Sequence, residues 1–216
     1  MMKVSEIFLS VEGEGSRSGL PCVFVRLHGC NLRCSYCDSM YAVIGDDYKE
    51  MTVKEISDAV DSYNIHRVTI TGGEPLIHEE IIDLITSLKK NNEINIETNG
   101  AVDISCLDSF LRDEVFVTMD WKSRSSKMSH KMLESNLPLL SRNDVLKFVV
   151  GSEEDLNQMK DIVENQSLDC QIFVSPIFGQ IDPADIVEFL LNNHLTSCRI
   201  QLQIHKLIWD KDRRGV

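Results

Sequence analysis

The chain has 216 residues, 43% of them hydrophobic, which suffices for a sizeable core in one large domain or two small ones. Its net charge of −12 excludes nucleic acid as the main partner, because phosphate binding needs a concentrated positive face. No apolar run reaches membrane length, and the N-terminus becomes acidic and glycine-rich before a signal-peptide core forms. We therefore expect a soluble, cytoplasmic protein without a membrane partner.

Apolar, β-branched runs recur along the chain and predict strands. They cover 22–29, 67–73, 94–100, 115–121, 145–151, 171–177 and 199–205. Several are almost continuously apolar and end in Gly, Asp or Pro, which is typical of strands buried on both faces.

Most of these runs are separated by segments with helical periodicity, at 53–64, 79–92, 152–166 and 182–193. The segments 101–114 and 123–140 carry weaker helical signals. Strand–helix alternation predicts a parallel sheet, and the chain is shorter than the ~250 residues of an eight-stranded barrel. We predict an α/β fold: a partial, open (β/α) barrel of six or seven mostly parallel strands with a reduced helical shell, in one domain over 1–216.

This architecture predicts where a functional site lies. In parallel α/β proteins the carboxyl ends of the strands form the site. Those ends carry glycines and polar residues here, namely 28–30, 71–75, 97–100, 120–122, 175–176 and His205. We expect them to converge on one mouth.

Three of the seven cysteines lie together in "HGCNLRCSYCDS", residues 28–39. Cys30, Cys34 and Cys37 have no fourth cysteine nearby, whereas structural zinc sites use four ligands. Three thiolates can instead hold a [4Fe–4S] cluster and leave one iron open for chemistry. A zinc site completed by His28 or a distant cysteine is the alternative. The scattered cysteines are expected to be small buried residues: Cys22, Cys106, Cys170 and Cys198.

The segment "CNLRCSYC" (30–37), combined with "TGGEP" (71–75) after the next strand, resembles the radical S-adenosylmethionine (SAM) superfamily. The resemblance implies that SAM binds the open iron and is cleaved to a 5′-deoxyadenosyl radical. From the residues themselves, Gly72 and Gly73 allow a close approach of backbone to a ligand, and Glu74 offers a carboxylate to an ammonium group. Alone, "TGGEP" is also compatible with a plain strand-to-helix turn.

A closer resemblance spans nearly the whole chain. The segments "EIFLSVEGEGSRSGLPCVFVRLHGCNLRCSYCDS" and "QLQIHKLIWDKDRRGV" are similar to the 7-carboxy-7-deazaguanine synthase family. This implies a carbon–nitrogen lyase of queuosine and 7-deazapurine biosynthesis, which converts 6-carboxy-5,6,7,8-tetrahydropterin to 7-carboxy-7-deazaguanine with loss of ammonia. It further implies Mg²⁺, a homodimer, and an electron donor such as flavodoxin or ferredoxin.

The resemblance also implies roles for individual residues. Cys30, Cys34 and Cys37 hold the cluster, and the Ser39 hydroxyl binds Mg²⁺; these four form the predicted catalytic set. The predicted SAM pocket comprises Tyr36, Cys37, Asp38, Gly72, Gly73, Glu74, Glu97, Asp120, Trp121, Lys122, Ser175, Pro176, Ile177 and Phe178. The predicted pterin site comprises Val11, Glu12, Gly13, Arg26, Thr71, His205 and Val216.

Some residues have a structural alternative. Arg26 either holds the substrate carboxylate or pairs with a core carboxylate. His205 is either functional or a hydrogen-bonded core histidine, and Glu97 either bonds a ribose hydroxyl or caps the barrel mouth. The tail ending at Val216 either reaches the substrate or frays.

Three positions depart from the family pattern. Glu12 stands where many members have Gln, Ser39 where Thr is frequent, and Arg124–Lys127 where a Pro-Ser-Ser-Gly turn is frequent. Two other functions remain open: a glycyl-radical-enzyme activase, and a non-catalytic iron–sulfur electron carrier.

Overall fold

The structure is a computed structural model that describes residues 1–110, 115–210 and 213–216. Its strands are β1 (Met2–Val11), β2 (Pro21–Leu27), β3 (Lys49–Met51), β4 (Arg67–Gly72), β5 (Glu93–Thr98), β6 (Val115–Lys122), β7 (Val145–Val150), β8 (Gln171–Pro176) and β9 (Cys198–Ile200). Its α-helices are α1 (Val53–Asp61), α2 (Ile81–Leu88), α3 (Glu153–Asn165), α4 (Pro183–Asn192) and α5 (His205–Ile208).

All nine of these strands form one sheet in the order β3-β1-β2-β4-β5-β6-β7-β8-β9. β2 and the six strands from β4 to β9 are mutually parallel and correspond to the seven predicted runs. The partial, mostly parallel barrel is confirmed. Two antiparallel strands were not predicted: β1 pairs with β2, and β3 pairs with β1.

The last predicted strand is shorter than expected. β9 ends at Ile200, whereas the apolar run continues to His205. The Gln201 side chain explains the break, since it accepts a hydrogen bond from Gly15 N (2.7 Å) and donates one to Gly15 O (3.0 Å). Segment 201–205 therefore leaves the sheet edge for the loop that follows β1.

The predicted helix starts are confirmed by their caps. The Thr52 hydroxyl accepts from Glu55 N while the Glu55 carboxylate accepts from Thr52 N, which forms a capping box on α1. Ser152 caps α3, and Asp182 caps α4 just before Pro183. These caps satisfy N–H groups that have no partner within the helix.

The two weak helical segments form no α-helix in the described residues. Segment 101–114 has one 3-10 turn, Ser105–Leu107, and its residues 111–114 lie outside the described part. Segment 123–140 forms three 3-10 turns, Arg124–Ser126, Ser129–Lys131 and Glu134–Leu139. The helical shell is thus reduced, as predicted.

Alternation along the parallel strands separates two environments. Apolar residues of β4 to β7 pack into the core beneath the helices, for example Ile70, Ile96, Val117 and Phe148. The residues between them are polar and point to the other face: Thr69, Thr71, Asn95, Glu97, Thr118, Asp120, Lys122 and Lys147. Both faces of these strands are largely shielded from water, but only one of them is apolar. The almost continuous apolar runs in the sequence had indicated that both faces would be apolar.

The loop that follows β1 reaches the polar face from the amino end of the barrel. Because β1 runs antiparallel to β2, Val11 pairs with Pro21, the first residue of β2. The loop then meets segment 201–205, and Ile204 N donates to Gly13 O (3.1 Å). In the described part of the chain no helix has the length and apolar character needed to cross a membrane.

Candidate active site

A cavity of about 660 Å³ opens on the polar face of the strands. Most of the predicted site residues line it: Val11, Glu12, Gly13, Arg26, Cys30, Cys34, Tyr36, Cys37, Asp38, Ser39, Thr71, Gly72, Gly73, Glu97, Asp120, Lys122, Ile177, Phe178, His205 and Val216. The cavity extends from the cysteine loop at the carboxyl ends of the strands to the loop after β1. We call it the chamber.

Four predicted site residues lie behind the chamber wall: Glu74, Trp121, Ser175 and Pro176. Trp121 belongs to the hydrophobic core, because it alternates with Asp120 and Lys122, which face the chamber. Ser175 and Pro176 are buried at the end of β8. Direct ligand contact by these side chains was expected from the sequence. Strand alternation turns Trp121 into the core, whereas Ser175 is on the same face of the sheet as its β7 neighbour Val149 and is buried there.

The Glu74 carboxylate joins neighbouring elements rather than facing the chamber. It is fully buried and accepts hydrogen bonds from Leu76 N (3.0 Å), Thr98 Oγ1 (2.9 Å) and Asn99 N (2.7 Å). Burial raises the pKa of Glu74, although the three hydrogen-bond donors act to lower it. The carboxylate therefore ties the turn after β4 to the end of β5.

The glycine pair after β4 lines the chamber and is also required by the close approach of neighbouring backbone. A Cβ on Gly73 would lie 2.0 Å from Gly29 O, and Gly72 has φ +135°. The turn instead donates from Gly73 N to Leu27 O (3.1 Å) and from Glu74 N to Gly29 O (2.8 Å). These contacts hold the turn against the residues that directly precede the cysteine loop. One edge of the turn faces the chamber.

The cysteine loop presents three free, partly exposed thiols to the chamber. Cys30 Sγ accepts from Leu32 N (3.4 Å) and from Asn99 Nδ2 (3.5 Å). Burial raises the pKa of Cys30 and of Cys34, while the Lys122 ammonium opposes the shift at Cys34. Of the other cysteines Cys22 is buried as expected, but Cys106 is exposed, so the expectation of burial was wrong for Cys106.

Arg26 is held in place by two residues from outside the predicted set. Its Nε donates to Glu6 Oε1 (2.7 Å), and the Tyr41 hydroxyl donates to the same oxygen (2.6 Å). Within the described residues its two terminal nitrogens form no hydrogen bond. The guanidinium is thus oriented by a carboxylate and still has donors to offer to the chamber.

Glu12 lies in a buried cluster at the amino end of the chamber. Its Oε1 accepts from Arg17 (2.9 Å) and from the Thr69 hydroxyl. Burial and the nearby Glu97 carboxylate raise the pKa of Glu12, although Arg17 opposes the shift. Glu97 itself accepts from the Thr71 hydroxyl (2.6 Å), so two predicted site residues meet in the chamber.

A chain of buried charges crosses the chamber floor. Lys147 Nζ lies 3.1 Å from Glu14 Oε2 and 3.5 Å from Asp120 Oδ2, and Lys122 Nζ lies 2.9 Å from the same Asp120 oxygen. Burial opposes these charges, but the lysines hold the pKa of Glu14 and Asp120 below their usual values. Lys147 and Glu14 were missed from the sequence. The signal was present, since a lysine in the apolar run "VLKFVV" calls for a buried counter-charge.

His205 and the C-terminal Val216 both line the chamber. A Cβ on Gly13 would lie 1.9 Å from His205 Nδ1, so a larger residue there would displace the imidazole. Burial lowers the pKa of His205. In the tail, Arg214 pairs with Asp47 (2.9 Å) and stacks on the Tyr41 ring (3.7 Å to the centroid), while Val216 lines the chamber.

Comparison with known proteins decides the family. The radical SAM superfamily matches residues 24–136. The 7-carboxy-7-deazaguanine synthase of Clostridium acetobutylicum is 43% identical, over 99% of both chains. The chain belongs to the 7-carboxy-7-deazaguanine synthase family. The synthase of Methanospirillum hungatei is 40% identical, over 96% of this chain and 85% of its own. The crystal structure of QueE from Escherichia coli, 21% identical, has the same fold, with a TM-score of 0.74 over 93% of both chains.

Membership of this radical SAM family implies a [4Fe–4S] cluster and SAM, and the residues fit these groups. Three free thiols from one loop face the chamber, with an amide donor, Asn99, beside Cys30. Among the described residues no three His, Cys, Asp or Glu side chains converge as ligands of a single metal ion. Three thiolates on one loop suit a cluster, in which each thiolate binds a different iron, and the match to the radical SAM superfamily favours it over the zinc alternative.

Proposed function

We propose that the chamber binds SAM beside 6-carboxy-5,6,7,8-tetrahydropterin and converts the pterin to 7-carboxy-7-deazaguanine with loss of ammonia. The observation that carries the proposal is that one cavity joins the three-cysteine loop to a set of charged and hydrogen-bonding groups from β2, β4, β5 and the C-terminus. Relatives of this family match almost the full chain, which favours a synthase over a glycyl-radical activase or an electron carrier.

In this proposal Cys30, Cys34 and Cys37 hold the cluster. With SAM bound, the cluster would supply the electron for reductive cleavage of SAM, the source of the radical chemistry on the substrate. The glycine edge at Gly73 and the loop Tyr36–Asp38 flank SAM on the cysteine side of the chamber. Asp120 and Lys122 are close to the same loop, and their fixed charges would meet a ligand without reorganising.

The pterin is proposed to lie on the other side of the chamber. Arg26, oriented by Glu6, offers its terminal nitrogens to the substrate carboxylate in a planar fork. The Glu97 carboxylate and the C-terminal carboxylate of Val216 are acceptors for the amino and ring N–H groups of the pterin. Gly13 allows His205 to approach the loop closely, which narrows the pocket around the ring.

We further infer that Ser39 binds Mg²⁺. Its hydroxyl faces the chamber 3.8 Å from Cys37 Sγ, and Mg²⁺ prefers oxygen ligands while keeping several waters. Turnover should depend on Mg²⁺, and Ser39→Ala should weaken this dependence sharply while SAM cleavage without pterin survives. Ser35→Ala, in the same loop, is the matched control. Equal turnover of chelated wild type with and without Mg²⁺ would contradict the assignment.

The assembly and cellular setting are also proposals. Exposed apolar side chains on α4, β9 and α5 support a homodimer: Leu191, Ile200, Leu207 and Ile208. Seven free cysteines and the acidic composition support a cytoplasmic enzyme supplied by a reductant such as flavodoxin or ferredoxin. A single continuous sheet supports one domain over 1–216. Light scattering of the purified protein tests the dimer.

Anaerobic incubation of the reconstituted protein with dithionite, SAM, Mg²⁺ and the carboxy-tetrahydropterin tests the function. We expect a product with the mass of 7-carboxy-7-deazaguanine and release of ammonia. An electron carrier would form no 5′-deoxyadenosine under any of these conditions. An activase would cleave SAM but leave the pterin unchanged, and either outcome would refute the proposal.

A further inference from the structure

The three-cysteine loop is at the surface of the protein as well as at the edge of the chamber. Asn31, Arg33 and Ser35 are exposed between the cysteines. A cluster held by this loop therefore lies directly beneath solvent-facing residues. An electron that reaches it from another protein has a short route at this point.

A second loop extends this surface. Residues 122–133 begin at the last residue of β6. The cysteine loop is hydrogen-bonded to them, because Ser35 N donates to Ser126 O (3.1 Å) and Ser35 Oγ donates to Ser125 O (2.5 Å). Lys127 and Lys131 are exposed on this second loop. The two loops thus form one continuous face over the cysteines.

The charge of this face differs from that of the rest of the chain. Residues 28–37 and 122–133 contain five Lys or Arg and no Asp or Glu, in a protein whose net charge is −12. Lys122 is turned into the chamber towards Asp120, and Arg124 is paired with Glu154 on α3. The remaining three cations, Arg33, Lys127 and Lys131, form no ion pair with any described residue.

We propose that Arg33, Lys127 and Lys131 form a docking face for a small acidic one-electron carrier protein. This inference rests on the proposed function, in which the cluster must be reduced by one electron before it can cleave SAM. The carrier loses that electron and the cluster gains it, with no atom transferred. Charge complementarity selects the partner, because an acidic protein is repelled by an acidic surface and attracted by a cluster of unpaired cations.

The test compares two charge-reversal variants in the holoenzyme. Lys127→Glu/Lys131→Glu changes the docking face. Lys90→Glu/Arg142→Glu makes the same change in net charge at exposed cations that precede β5 and β7, at the amino ends of the strands. Lys127 has φ +63°, and Glu in its place adds no backbone strain beyond that of Lys.

Two readouts are measured with a flavodoxin as the probe. The first is the Kd between oxidised flavodoxin and the protein at low and at high salt. The second is the rate at which reduced flavodoxin bleaches the visible absorbance of the cluster. We expect the docking-face variant to bind about tenfold more weakly at low salt and to be reduced correspondingly more slowly, with both differences diminished at high salt. The control variant should match the wild type.

Dithionite separates this inference from the proposed function. Dithionite needs no docking face, so it should support wild-type turnover in both variants. Equal loss of flavodoxin binding in both variants, or no loss in either, would overturn the docking face whatever the activity. If dithionite yields no deazaguanine even from wild type, the proposed function fails, and the binding measurement still decides the docking face.

Discussion

The residues of the chamber form two groups. Some must bind a ligand directly, and others have a protonation state that neighbouring side chains influence. The three loop cysteines belong to the first group, since the hydrogen-bond partners of their thiols are backbone, amide and hydroxyl groups and none is charged. Glu12 belongs to the second, because Arg17 and Thr69 occupy one of its oxygens while Glu97 disfavours its charge. Substitutions therefore test the two groups by different measurements.

The cysteine loop makes the first prediction. Cys30→Ala, Cys34→Ala and Cys37→Ala should each lose iron and sulfide and abolish SAM cleavage, because each removes one thiolate of a three-ligand site. Cys106→Ala, which removes an exposed thiol, and Cys198→Ala should leave both nearly intact. Iron and sulfide analysis with 5′-deoxyadenosine assays checks this. A Cys34→Ala protein that cleaves SAM at the wild-type rate would refute the cluster assignment.

Glu12 makes a prediction about pH. Because its folded-state pKa is raised, Glu12 stabilises the fold less as pH rises from the usual carboxyl range through the raised value. Glu12→Gln keeps the shape and removes that titration. The Tm of the variant minus the Tm of wild type should therefore be larger at pH 8 than at pH 5.5. Arg17 works against this gain, so an equal difference in Tm at the two pH values would show that its ion pair dominates.

At the scale of elements, buried charges hold the loop after β1 to the strands. Lys147 on β7 is 8% exposed and Glu14 is 10% exposed, so their pairing is shielded from solvent. Gln203 Nε2 also donates to Glu14 (3.1 Å), which brings segment 201–205 into the same contact. Three segments far apart in sequence therefore meet at one carboxylate.

Lys147→Met tests this contact. It leaves Glu14 buried without a cation and should destabilise the protein by roughly 3–5 kcal/mol at neutral pH. Since the pKa values of Glu14 and Asp120 are lowered, wild-type stability falls as pH drops through the range of ordinary carboxyls, and the variant should lose less. Denaturant unfolding at pH 7 and pH 4.5 measures both effects.

The matched variants make the result specific. Glu14→Gln added to Lys147→Met should recover part of the stability, because the uncompensated charge is removed. Lys54→Met, at an 82%-exposed side chain on α1, should leave the free energy of unfolding nearly unchanged, because solvent screens the charge. Additive losses in the double variant would show that the two residues do not depend on each other.

At the scale of the whole molecule, the first and last segments of the chain complete the chamber. The loop after β1 enters from the amino end, segment 201–205 lies against it, and the tail returns to the chamber wall at Val216. Arg214 fixes that return through Asp47 and the Tyr41 ring. Tyr41 in turn bonds Glu6, which orients Arg26.

Deletion of Gly215 and Val216 should therefore raise KM for the pterin markedly and leave cluster content and SAM binding unchanged. The physical reason is the loss of a carboxylate that accepts hydrogen bonds within the chamber. A C-terminal tag should act in the same way, while an N-terminal tag at the half-exposed Met1 serves as the control. Wild-type kcat/KM in a C-terminally extended protein would show that the tail is only structural.

Local patterns in the sequence were sufficient for the seven parallel strands, the four longer helices and the cysteine loop. Each depends on residues close together in the chain: apolar runs, caps such as Thr52 with Glu55, and thiol spacing. β1 was missed because it is partly exposed along much of its length and has no clear alternation.

Only the tertiary structure decided which side chains reach the chamber. Trp121 and Asp120 are adjacent in sequence, yet strand alternation sends one to the core and the other to the site. Glu14 and Lys147 are 133 positions apart, and no local pattern pairs them. The sequence by itself determined the chemistry of the three cysteines, because spacing on one loop is local. The shape of the pocket depended on long-range pairing, because its walls come from both ends of the chain.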